Sequence, residues 1–225
     1  MQVIGHIRTD FPEKFGIPRQ SGLVDTVARI EFLPAYRDPE ALRGIDGYSH
    51  LWLVWVFSEA VRDDGSWTAT VRPPRLGGNK RMGVFATRSP YRPNPIGLSS
   101  VRLIKVATDS PQGPILYVAG ADLLDGTPIL DVKPYLAYTD AHPEAESGFA
   151  FRGEAPLTVE FPPVLFARIP AEHRQMLSDL LAQDPRPGYQ NNPDRVYKMG
   201  YAGFDVHFTV DGDRLCVVDV KPYQR

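Results

Sequence analysis

The chain has 225 residues, 43% of them hydrophobic, a formal net charge of −2 and a single cysteine, Cys216. That is enough apolar chain for one large domain or a larger and a smaller one, and one cysteine excludes an internal disulfide. The longest apolar run, Leu51 to Phe57, is seven residues, far short of the roughly 20 that a membrane-spanning helix needs. The start, MQVIGHIRTDF, lacks a secretory layout, so the expectation is a cytoplasmic protein with no membrane segment.

In chain order, VIGHI (3–7), DTVARIEFL (25–33), YSHLWLVWVF (48–57), SWTATV (66–71), MGVFAT (82–87), LSSVRLIKVA (98–107), PILYVAGA (114–121) and PILDV (128–132) are β-branched or aromatic and broken by Gly, Pro and Asp. They read as strands. Their regular spacing predicts a closed or nearly closed β-barrel, with only PEALRG (39–44) hinting at a helical turn. From Ala137 to about Glu154 the chain turns loose and polar. The expected division is therefore a barrel over 1–140, a linker over 141–155 and a small α+β unit over 156–225.

In that unit LTVEF (157–161) reads as a strand and PAEHRQMLSDLLAQDP (170–185) as a helix, with Met176, Leu177, Leu180 and Leu181 on one stripe. FDVHFTV, DGD and RLCVVDV form a hairpin signal in which Phe204, Val206, Phe208 and Val210 alternate and Asp211-Gly212 supplies the turn. Cys216 reads as a core thiol, His207 as exposed, and His173 as a surface or partly packed residue.

The charge is unevenly spread. Between Val71 and Ala107 stand eight of the 25 Lys and Arg and none of the 27 Asp and Glu, so this segment carries +8 and the remainder −10. Pro and Gly between the charges suggest converging loops that meet an anionic partner. No GxGxxG, GxxxxGK[ST], HExxH or GxSxG motif occurs, and the five histidines are far apart. Neither a doubly wound nucleotide fold nor a metal site is expected.

Three polar clusters fall at strand ends: EKFGIPRQSGL (13–23), TRSPYRPNPIG (87–97) and DLLDGTPILDVKPYL (122–136). Prolines 90, 93 and 95 restrict the second before any ligand arrives, holding about 1 kcal/mol of ordering entropy per residue in advance. Arg88 and Arg92 there suit an anionic group, and Asn94 offers both a donor and an acceptor. DVKPY occurs twice, at 131–135 and 219–223.

PRQSGL, GYSHLWLVWVF, RPPRLGGNKRMGVFATRSPYRPNPIGLS, DGTPILDVKPYL and QDPRPGY together resemble the TsaA-like family, also called YaeB or TrmO, S-adenosylmethionine-dependent methyltransferases of tRNA. The likeness runs from about residue 3 to 136 and resumes over Leu181 to Tyr189. It implies a single-sheet β-barrel methyltransferase domain, a small C-terminal domain, and a homodimer with cofactor sites near the subunit interface. The implied reaction is methylation of N6 of N6-threonylcarbamoyladenosine, next to the anticodon.

By the same resemblance, Pro18, Arg19 and Gln20 contact the cofactor, Arg88 is similarly placed, Leu98 lies against it, and Asp122, Leu123, Leu124 and Asp125 form a further edge. The family pattern has His-Gln after the long apolar strand where this chain has Ser58-Glu59, and Glu59 can still accept a hydrogen bond from an ammonium or hydroxyl. The acceptor nitrogen is delocalised into purine and carbamoyl groups, so a proton acceptor near the methyl should help. Asp125, Asp131 and Tyr135 are the candidates, with Lys133 to tune them or to neutralise a developing oxyanion. RNA phosphates are expected on Arg72, Arg75, Lys80, Arg81 and Arg92, and bases on aromatics such as Tyr91 or Tyr189, the DPRPGY turn placing Arg186 and Tyr189 near the partner subunit or the RNA. The residues leave open a non-enzymatic RNA-binding barrel, or a methyltransferase of this class with another acceptor.

Overall fold

A computed structural model of the protein describes residues 1–60, 66–76, 79–149, 155–188 and 190–224. In chain order the strands are β1 (Gly5–Arg8), β2 (Val27–Phe32), β3 (His50–Val56), β4 (Thr70–Val71), β5 (Met82–Gly83), β6 (Ile96–Ala107), β7 (Ile115–Ala119) and β8 (Pro128–Pro134). After a short helix α1 (Ala137–Asp140) come β9 (Thr158–Glu160), helices α2 (Pro163–Phe166) and α3 (Ala171–Ala182), then β10 (Tyr197–Tyr201), β11 (Phe204–Asp211) and β12 (Arg214–Pro222).

Six strands close a barrel in the order β1-β2-β7-β6-β3-β8, all neighbours antiparallel. Two-residue alternation decides what fills it. On β3, Leu51, Leu53 and Trp55 point inward while His50, Trp52, Val54 and Val56 point out. Ile7, Ile30, Leu116 and Ile129 complete an interior closed to solvent. Gly97, Ser99 and Val101 are the inward residues of β6, and Ile104 is extruded where the β6–β7 register slips between Leu103 and Lys105.

SWTATV and MGVFAT do not join this barrel. Only Thr70–Val71 and Met82–Gly83 pair, forming a separate two-stranded ribbon. Of Val84, Phe85 and Ala86 in the turn after β5, only Val84 is buried. PEALRG forms a 3-10 turn over Pro39–Leu42. The chain after β8 is not loose at once, since the Asp140 carboxylate accepts hydrogen bonds from Trp52 Nε1 at 2.8 Å and Leu136 N at 2.9 Å.

The second core lies under the sheet β10-β11-β12-β9, with Leu177, Leu180 and Leu181 of α3 against Met199, Val206, Phe208, Leu215 and Val217. Phe11, Phe15, Ile17, Leu23 and Val24, from the excursion between β1 and β2, pack into this core and not into the barrel. Gly200 N donates to Glu13 Oε1 and Ala202 N to Asp10 O. The first polar cluster is thereby held between the two cores.

Two single-residue expectations are corrected. His207 is buried: the β11–β12 register shifts at His207/Phe208, turning consecutive residues inward, and Asp205 Oδ2 satisfies the ring nitrogen at 2.9 Å. Cys216 is half-buried, because Leu215 and Val217 occupy the inward positions beside it. Among the described residues no helix is long and apolar enough to cross a membrane.

Candidate functional site

A cleft of about 730 Å³ opens on the barrel wall where the three polar clusters meet, within the size range of small-molecule sites. One wall is Pro18, Arg19, Gln20 and Ser21; a second is Phe57, Ser58, Glu59 and Ala60 after β3; a third is Arg88, Tyr91, Arg92 and Asn94. The floor is the outer face of β3 and β6, with Trp52, Val56, Ile96 and Leu98 and the backbone at Gly97, closed by Asp122, Leu124 and Thr127.

Each wall is braced. Lys14 Nζ meets Glu59 Oε2 at 2.9 Å, joining the first wall to the second. Arg88 donates to Gln20 Oε1, joining the third to the first. The proline loop is tied internally by Arg92 Nη1 to Thr87 O at 3.2 Å and Ile96 N to Asn94 O at 2.7 Å. Arg19 donates to the carbonyls of Asp184 (2.5 Å) and Arg186 (3.1 Å) in the turn after α3. Arg186, expected near the partner subunit or the RNA, is buried in a bidentate pair with Asp184 at 2.9 and 3.0 Å. The C-terminal unit therefore sets where Arg19 sits.

The electrostatic centre is Asp122. Trp55 Nε1 donates to Ser99 Oγ at 3.0 Å, and Ser99 Oγ donates to Asp122 Oδ1 at 2.5 Å. This satisfies a serine that faces the barrel interior. Burial pushes the Asp122 carboxyl above the ordinary carboxylate range, against the hydrogen bond from Ser99 and the nearby charge of Arg88. A cation delivered to the cleft would recover that cost.

Of the other expected residues, Leu123 is buried in the barrel core, since alternation turns it opposite to Asp122 and Leu124. Asp125 lines a separate depression of about 370 Å³ with Arg8, Asp10 and Arg29, its Oδ1 accepting from Thr9 N at 3.1 Å. Tyr135 stands one ring behind the cleft, 5.4 Å from Trp52 and 6.1 Å from His50 between centroids. Arg72, Lys80 and Arg81 are exposed on or beside the ribbon, away from the cleft lining. The Arg75 side chain and Tyr189 lie outside the described residues.

Asp131 and Lys133 pair with each other at 2.8 Å and do not line the cleft. The repeated DVKPY has a physical account. Asp219 and Lys221 pair at the same 2.8 Å; Asp131 and Asp219 each accept from the next residue's N–H at 2.9 Å; and the tyrosine N–H of each copy extends a ladder, to His50 O and Gly203 O. Residues two apart share a strand face, so the motif clips a strand end. Asp131 holds the Lys133 ammonium above its usual range, which keeps it protonated at neutral pH. Lys133→Ala is accordingly expected to leave the cofactor dissociation constant unchanged in calorimetry; a tenfold loss would give Lys133 a role in the cleft.

Sequence reasoning missed Ser21, Trp52, Phe57, Ile96 and Thr127 as lining residues. Strand alternation on YSHLWLVWVF carried the signal for Trp52, but not which outward residues a cleft would cover.

The family model described as the tRNA-methyltransferase O N-terminal domain matches residues 6–141, and that of the TrmO C-terminal domain matches residues 154–223. The chain is 39% identical to the tRNA (adenine(37)-N6)-methyltransferase of Escherichia coli (strain K12), over 97% of this chain and 96% of that relative. It is 44% identical, over 96% and 95%, to a Pseudomonas aeruginosa protein whose name describes an S-adenosylmethionine-dependent methyltransferase. A crystal structure of TrmO from P. aeruginosa superposes with a TM-score of 0.77 at 36% identity, covering 99% of this chain and 97% of that one.

Proposed function

This chain belongs to the tRNA-methyltransferase O family, and from that premise we propose that it methylates N6 of adenine 37 in tRNA with S-adenosylmethionine as methyl donor. The observation that carries the reading is the donor set of the cleft. Arg19 and Arg88 suit a carboxylate, Asp122 and Glu59 suit an ammonium or hydroxyl, and Phe57, Ile96 and Leu98 supply apolar walls. When bound, the cofactor supplies an electrophilic methyl on a sulfonium.

The chain's own part is positioning. Braced walls hold the reacting atoms in line, an effect that contributes roughly 7 to 11 kcal/mol. The acceptor is the adenine of N6-threonylcarbamoyladenosine, whose carboxylate suits Arg92 at the cleft. Its nitrogen lone pair is delocalised, so its proton has to be taken up as the bond forms. Asp122 is the cleft carboxylate whose raised affinity for a proton fits that task or the binding of a cationic group. Tyr135 packs against the cleft residue Trp52, 5.4 Å between ring centroids. Leu98 and Ile104, 57% and 42% exposed on the outward face of β6, support a homodimer across that face. A tRNA acceptor, as in the name of the Escherichia coli relative, supports a cytoplasmic site of action.

The test is transfer of radiolabelled methyl from S-adenosylmethionine to tRNA from cells with and without the threonylcarbamoyl modification. Label in modified tRNA alone is the expected result. Label in neither, with cofactor binding intact, would assign another acceptor. Binding of tRNA without cofactor affinity would leave a non-enzymatic RNA-binding barrel.

A further inference from the structure

The ribbon β4–β5 carries two large aromatic rings that neither core uses. Phe85 is 72% exposed and Trp67 47%, with centroids 5.8 Å apart and planes inclined by 31°. Neither belongs to either hydrophobic core. The ribbon itself is ordered under them by the Thr70–Gly83 and Val71–Met82 pairs, by Val84 N donating to Ala69 O at 2.9 Å, and by the buried Val84 side chain. Two exposed rings in contact with each other, set just outside the two strands of the ribbon, make a platform that suits a flat apolar occupant.

The surroundings select that occupant. No Asp or Glu occurs from Ser66 to Thr108, while Arg72, Lys80 and Arg81 are exposed on or next to the same ribbon. Arg81 Nη1 donates to Thr70 Oγ1 at 3.0 Å across the ladder, which fixes one of the cations. Within this described stretch the charged neighbours are cations, and flat apolar rings beside them suit an unpaired nucleobase and its phosphates. The platform also adjoins the cleft: Phe85 precedes the cleft residue Arg88 by three positions, at most about 11 Å of extended backbone.

We infer that Trp67 and Phe85 form a stacking platform for an unpaired anticodon-loop base of the tRNA, flanking the nucleotide that is methylated. The inference rests on the tRNA reading above and assigns a surface outside the cofactor cleft to acceptor recognition. These are positioning residues, since they stand on the ribbon and not among the cleft-lining groups. Stacking is sequence-tolerant and contributes about 1–3 kcal/mol per base, which corresponds to roughly 5- to 150-fold in affinity.

The experiment uses the full chain, unfractionated tRNA and the variants Trp67→Ala, Phe85→Ala and Phe85→Tyr. The expected result is a KM for tRNA raised within that range by either alanine, with kcat, cofactor affinity and thermal midpoint unchanged, and near wild-type values for Phe85→Tyr. Quenching of Trp67 fluorescence on adding tRNA should disappear in Phe85→Ala. An unchanged KM in both alanine variants would overturn the inference. So would a change in sedimentation of the free protein, which would make the rings a protein–protein contact. Absence of methyl transfer by the wild-type chain would instead remove the parent reading, and this inference with it.

Discussion

Asp122→Asn is expected to weaken S-adenosylmethionine binding by about 2 kcal/mol or more, the usual cost of removing one partner from a desolvated charge pair, which is roughly 30-fold in the dissociation constant. Asparagine keeps an acceptor for Ser99 Oγ, so the Trp55–Ser99 link survives. The charge is lost, and one acceptor oxygen becomes an N–H donor. The same change should leave the cofactor-free protein as stable or more stable. Burial raises the Asp122 pKa, so its folded form prefers the proton, and the stability that comes with protonation is present at low pH and lost as pH rises through the raised value. Near neutral pH the wild type therefore carries an ionised group that the fold disfavours. Cofactor affinity should run the other way, falling as acid protonates Asp122. Thermal melts with and without cofactor across the acidic range check both signs. An unaltered cofactor-induced shift in Asp122→Asn would remove Asp122 from the binding site.

Gly97→Ala is expected to destabilise the barrel by about 1–3 kcal/mol, the usual cost of overpacking, or roughly 2–12 °C in Tm for a chain of this length. A methyl group built on Gly97 falls inside the indole of Trp55, the cross-strand neighbour on β3. That ring is 6% exposed and anchored through Nε1 to Ser99. It cannot yield without breaking the link to Asp122, so cofactor binding should weaken along with stability. Trp55→Val removes the fused rings that the methyl strikes. The double variant should then be less destabilised than the sum of the singles, a coupling of about 0.5–3 kcal/mol. Additive losses would show that Gly97 acts through its backbone alone.

Much of the cleft was legible because its chemistry is local. RSPYRPNPIG announces a stiff basic loop through its prolines alone, and the alternation of LWLVWVF announces a strand with one face inward. The DG turn of the last hairpin likewise appears where alternation and glycine predicted it, with Gly212 at φ 57°. The family likeness then joined three clusters that spacing alone left separate.

What the linear pattern determined was the set of short strands, the loop chemistry of the three clusters and the concentration of positive charge, because each depends on residues within a few positions of one another. Only the tertiary structure decided which strands close the barrel, and left SWTATV and MGVFAT outside as a ribbon bearing Trp67 and Phe85. It also carried Phe11 to Val24 into the second core, so that Arg19 is set by carbonyls of Asp184 and Arg186 more than 160 positions away. Asp122 became the charged centre of the cleft only when β6 brought Ser99 beneath it. Those outcomes rest on burial and hydrogen bonding between segments distant in sequence, whose free energies exist only once the chain has closed on itself.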